Sequence, residues 1–93
     1  MREEFKPNAQ VLARIAEVFC QNIFVKKTHL HSASRTDWNS FERYMNWLQI
    51  KNYIEHSDID EYAYKLTDNG REVFKMIGVL HDSIKKLQST INI

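Results

Sequence analysis

The chain has 93 residues, 43% apolar and 12% aromatic, which can bury one core but not two, so residues 1–93 are expected to form a single domain. Two glycines and one proline exclude a disordered linker or a low-complexity tract, and a net charge of +1 by itself neither favours nor opposes nucleic acid. No apolar run approaches the roughly 20 residues that span a bilayer, and Met1-Arg2-Glu3-Glu4-Phe5-Lys6 lacks a signal-peptide core, so a soluble cytoplasmic protein without a membrane partner is expected.

Pro7 suits the first turn of a helix, and Leu12, Ile15, Val18 and Phe19 repeat at helical spacing, which predicts a first helix from about Pro7 to Gln21. A short second helix is expected from Lys27 to Ala33, with Leu30 buried. Ser34-Arg35-Thr36-Asp37 supplies oxygens that can cap a new helix, and Ser34 with Asp37 fits a capping box. In the third helix Trp38, Phe41, Met45 and Leu48, with Tyr44 beside them, make one apolar face, leaving Asn39, Ser40, Arg43 and Asn46 outward. Trp47 falls off that stripe.

After Asn52 the pattern becomes extended. Tyr53-Ile54-Glu55-His56, a polar Ser57-Asp58-Ile59-Asp60 turn and Glu61 to Leu66 read as a hairpin, with Tyr62, Tyr64 and Leu66 alternating as a half-buried strand requires. Thr67 can cap a final helix over 67–93, and Asp68 suits its first turn. Val73, Ile77, Leu80, Ile84, Leu87 and Ile91 follow at spacings 4, 3, 4, 3, 4, a heptad seam. Such a helix would run about 37 Å, beyond the reach of a small core, so its far end calls for a second copy. Ile77, Ile84 and Ile91 occupy a-type positions and Val73, Leu80 and Leu87 d-type positions. The start of the seam, at Val73 and Ile77, is open to packing on its own first helix.

Charge is unevenly distributed. Val25 to Lys51 carries Lys26, Lys27, Arg35, Arg43 and Lys51 against Asp37 and Glu42, whereas Tyr53 to Leu66 carries Glu55, Asp58, Asp60 and Glu61 against Lys65. An anion-binding surface should therefore centre on the middle segment.

Tyr64-Lys65-Leu66-Thr67-Asp68-Asn69-Gly70 resembles the Y-x-L-T-x-x-G signature that closes the wing and opens the last helix in many winged-helix regulators. Thr28 to Ile54, ending Leu48-Gln49-Ile50-Lys51-Asn52-Tyr53-Ile54, resembles the helix-turn-helix of small archaeal winged-helix proteins of the Sso10a type. The resemblance runs from about Lys26 to the C-terminus and implies an α+β, mostly α, winged helix: a three-helix helix-turn-helix core, a two-stranded β-wing and a long C-terminal helix. It also implies double-stranded DNA as partner, a homodimer built on the last helix, and the third helix in the major groove. The short length fits a regulator encoded by a virus of a hyperthermophilic archaeon. The acidic wing tip departs from the basic wings of many DNA-contacting relatives.

On that reading Arg43 is suited to guanine and Asn39 to adenine, with Arg35, Thr36 and Ser40 beside them. Lys26, Lys27 and Thr28 stand where the start of the second helix can hold a phosphate. The other reading is a winged-helix module that docks a protein through its acidic wing and long helix. No paired carboxylates, Gly-rich phosphate loop or Cys/His nucleophile pattern points to an enzyme, a cofactor or a small-molecule substrate. His29 and His31, two apart on a helix, point to different faces and read as surface histidines rather than metal ligands. Cys20, the only cysteine, ends a stripe of small residues with Ala9, Ala13 and Ala16. It reads either as a buried reduced thiol or as one half of an intersubunit disulfide across a two-fold axis, a bond that hyperthermophile proteins tolerate.

Overall fold

The computed structural model describes residues 5–91, with side chains described from Phe5 to Gly78 and at Lys86 and Leu87. Helix α1 covers Ala9–Gln21, strand β1 Val25–Lys26, α2 Lys27–Ser34, α3 Trp38–Ile50, β2 Ile54–His56, β3 Ala63–Leu66 and α4 Asp68–Ile91. The class is α+β and mostly α, with the four helices and the hairpin in the order expected and β1 added between α1 and α2.

The helix starts follow local capping chemistry. Asn8, not Pro7, opens α1: its side-chain oxygen accepts the N–H groups of Gln10 and Val11 at 2.8 and 3.3 Å. At α3 the capping box expected of Ser34 and Asp37 gives way to a single cap by Asp37, whose carboxylate accepts the Ser40 N–H at 3.1 Å. Ser34 is instead the fully buried last residue of α2, its hydroxyl donating to the His31 carbonyl at 2.7 Å. A side chain that already satisfies the helix behind it is not free to cap the one ahead. Thr67 caps α4 as expected, its hydroxyl accepting the Gly70 N–H at 3.0 Å.

The sheet has one strand more than the expected two-stranded wing. The hairpin β2–β3 pairs Ile54 with Leu66, Glu55 with Lys65 and His56 with Tyr64. Residues Val25 and Lys26 add β1 to the other edge of β3, opposite Tyr64 and Ala63. Two residues carry no period, so β1 is invisible to pattern reading. As the central strand β3 buries Ala63 and Tyr64, while Tyr62, expected to be half-buried in the strand, lies in the turn before it and is 71% exposed.

The core gathers Val11, Leu12, Ile15, Val18 and Phe19 of α1, Leu30 of α2, Phe41, Tyr44, Met45 and Leu48 of α3, and Phe74 of α4. Each fully buried Leu, Ile or Phe here contributes about 1.5 to 3 kcal/mol relative to exposure. Phe74, outside the heptad seam, anchors α4 with its ring 5.9 Å from that of Phe19, and Val73 and Ile77 pack half-buried beside it. Trp47 packs off the α3 stripe against Phe5 and Tyr53, with ring centroids 6.3 and 5.7 Å away. Cys20 is a free, exposed thiol, which corrects its reading as a buried one, and in its stripe only Ala16 is buried.

The 24 residues of α4 run about 36 Å. The radius of gyration is 14.2 Å, against about 12 Å for a compact chain of this length. Leu87, toward the far end, is 62% exposed. Leu80, Ile84 and Ile91 of the expected seam lie outside the described side chains. No helix among the described residues is long and apolar enough to cross a membrane.

Candidate nucleic-acid interface

Helix α3 buries Phe41, Tyr44, Met45 and Leu48 against the core, and 3.6-residue periodicity then turns Asn39, Arg43, Asn46 and Ile50 to the opposite side. All four are exposed, Ile50 by 81%. The result is one straight stripe of two carboxamides, a guanidinium and an aliphatic end. The sequence points to Asn39 and Arg43 as base-reading groups and turns Asn46 outward without a role. Ile50 escapes sequence reasoning, although it continues the same 4, 3, 4 spacing. Ser40, on the flank, is half-buried and gives its backbone N–H to Asp37.

Along the other flank, Lys27 meets Glu42. Lys27, the first residue of α2, places its ammonium 2.6 Å from the Glu42 carboxylate and 5.3 Å from the centre of the Trp38 ring. Its backbone N–H donates to the Tyr62 carbonyl at 3.1 Å, fastening the start of α2 to the wing. Both side chains of the ion pair are about one-third exposed, so the pair ties α2 to α3 beside Arg43 and offsets the acid that adjoins the stripe. Lys26 and Thr28 are exposed on either side of Lys27, and Lys26, at the N-cap of α2, supplies no side-chain cap.

The turn between α2 and α3 is held from within. Arg35 is exposed in the left-handed region, at φ 56° and ψ 35°, which sharpens the exit from α2. Thr36 is half-buried: its hydroxyl lies 3.1 Å from that of Ser34, and its carbonyl accepts the His31 ring N–H at 3.0 Å. His31 stands between the rings of Trp38 and Phe41, with centroids 4.9 and 5.0 Å away, whereas His29 is exposed. The two histidines face apart, and among the described residues no His, Cys, Asp and Glu side chains group closely enough to hold a metal ion. The hydroxyl and backbone N–H of Ser40 hold the Asp37 carboxyl below its ordinary pKa.

The wing is acidic and internally ordered. Lys65 reaches Glu55 at 3.5 Å and Asp58 at 3.7 Å, the buried Ser57 hydroxyl accepts the Ile59 N–H at 3.1 Å, and Asp60 accepts the Tyr62 N–H at 2.9 Å. Ile59 and Tyr62 stand out by 85% and 71%. Thus Asn39 and Arg43 come together on one face with Lys27 at its flank, Lys26 and Thr28 are exposed next to Lys27 in the chain, Arg35 lies at the turn, and Thr36 serves the turn itself.

The sequence profile described as winged helix-turn-helix matches residues 8–85. No curated protein matches the chain in sequence. Among solved structures, the fold is similar to a MarR family transcriptional regulator from Silicibacter pomeroyi, with a TM-score of 0.73 and 16% identity over 88% of this chain. The chain spans 60% of that regulator's length. It is also similar to Sso10a-2, a DNA-binding protein from Sulfolobus solfataricus, with a TM-score of 0.70 and 12% identity over 94% of this chain and 90% of that one. At these identities the likeness is one of fold.

Proposed function

The chain belongs to the winged helix-turn-helix family, and from that premise we propose that it is a non-catalytic transcriptional regulator that binds double-stranded DNA as a homodimer, with α3 in the major groove. The observation that carries this reading is the outward stripe of α3, whose amides and guanidinium are the groups that bond base edges. Lys26, Thr28 and Arg35 border it as phosphate contacts, and the N-terminus of α2, without a side-chain cap, favours an anion. The two similar folds, one a transcriptional regulator and the other a DNA-binding protein, lend support. Gel shifts on mixed duplex DNA at rising salt test it: binding should weaken steeply with salt, as counterion release requires.

The homodimer is proposed on α4, whose length and exposed Leu87 leave apolar surface that the chain's own core does not cover. Exposed Cys20 is open to a disulfide with its own copy, and a thiol-blocked, non-reducing gel with the monomer band alone would exclude it. A second reading, docking of a protein partner, is favoured by the acidic wing with Ile59 and Tyr62 at its surface. No DNA binding even at low salt would select it.

A further inference from the structure

We propose that the outward stripe of α3 reads a half-site in which two adenines lie about two to three base-pair steps apart with a guanine between them, followed by a thymine methyl about one to two steps further on; this rests on the DNA-binding reading above. Asn39, Arg43, Asn46 and Ile50 are all exposed on one side of the helix, and Arg43 is the one charged side chain in the line. Asn39 and Asn46 are seven positions apart, which at 1.5 Å per residue is about 10.5 Å along the helix. Base pairs rise about 3.4 Å along the duplex axis and the groove runs oblique to it, so a helix lying along the groove advances about 4 to 5 Å per pair and brings the two carboxamides over pairs about two to three steps apart.

The chemistry at each point follows from the groups. A carboxamide has one donor and one acceptor in fixed relation, which matches the N6 amine and N7 of adenine. The guanidinium of Arg43 lies about 6 Å along the helix from Asn39 and about 4.5 Å from Asn46, and it matches guanine O6 and N7. Ile50 has no hydrogen-bonding group, and the one apolar feature of the major groove is the thymine C5-methyl. Glu42 lies beside the stripe, but its charge is met by Lys27 at 2.6 Å, so the acid does not set the specificity. The target is thus stated by the stripe itself, not by the overall charge.

The experiment is selection of bound duplexes from a random pool, followed by titration of the preferred site with modified bases. Replacing either adenine by 7-deazaadenine, or the guanine by 7-deazaguanine, removes the N7 half of a bidentate contact and should weaken wild-type binding roughly 2- to 12-fold. Asn39→Ala, Arg43→Ala and Asn46→Ala should each lose sensitivity at one position only and keep low-salt binding to unrelated duplex. Deoxyuridine in place of the thymine should weaken the wild type but leave Ile50→Ala unaffected. Salt-dependent binding with no preferred site, or with losses spread evenly over all positions, overturns this readout while leaving DNA binding intact. No binding to any duplex at low salt overturns both.

Discussion

A side-chain carbon placed on Gly70 would stand 1.8 Å from the carbonyl oxygen of Tyr53. That carbonyl accepts the Thr67 N–H at 3.0 Å, and the Thr67 hydroxyl in turn donates to the Asn52 carbonyl. The first turn of α4 is therefore seated directly on the backbone that leaves α3, and the glycine of the Thr67-Asp68-Asn69-Gly70 run is a matter of approach, not of backbone dihedral angle. Gly70→Ala should destabilise by more than about 2 kcal/mol even though alanine favours a helix interior by about 1 kcal/mol. The thermal midpoint should fall by roughly 10 °C or more. An unchanged midpoint would mean that α4 can slide away from Tyr53 at little cost.

Arg35 separates stability from binding. Its left-handed backbone costs a non-glycine residue about 1 to 2 kcal/mol, so Arg35→Gly should leave stability unchanged or raise it by up to about 1 kcal/mol. If the guanidinium touches phosphate, the same change lowers the salt slope of DNA binding by about one. Melting curves and salt-dependent gel shifts on one variant read both effects.

The Lys27–Glu42 pair makes opposite expectations for its two members. Lys27→Ala leaves Glu42 unneutralised beside the stripe and should weaken binding to every duplex. Glu42→Gln releases the ammonium toward phosphate, and should strengthen binding and raise the salt slope by up to about one. Equal weakening by both changes would assign the pair a purely structural role.

Leu87→Asp tests the proposed dimer without touching the described core, since Leu87 is exposed and lies far along α4 from Phe74. Sedimentation should show the wild type as a dimer and the variant as a monomer of unaltered helix content. A variant that stays dimeric places the interface elsewhere.

Asp37 carries a pH dependence. Because Ser40 lowers its folded pKa, the carboxylate's stabilisation is fully present at neutral pH, above the unfolded value, and is lost as the pH falls through the folded value. The stability gap between wild type and Asp37→Ala should hold from pH 7 down to about 4 and then close. Urea unfolding across that range measures it, and a gap that persists at lower pH would contradict the assignment.

Local chemistry makes much of this protein legible in its sequence. The 3.6-residue period of Phe41, Tyr44, Met45 and Leu48 predicts α3 and thereby its outward Asn39 and Arg43; Thr67 before Asp68 predicts the start of α4. Such signals are legible because period and caps act over a few neighbouring residues. What only the tertiary structure decided is pairing between segments far apart in sequence. Strand β1 exists because β3 offers it an edge, Phe74 is buried because α1 lies against it, and Lys27 is drawn to Glu42 because α2 crosses α3 there. Ser34 turns inward for the same reason, its hydroxyl satisfied by His31 and beside Thr36 in a packed turn. No residue in those pairs announces its partner, since burial and charge pairing depend on which surfaces meet, and that is settled by the packing of the whole chain.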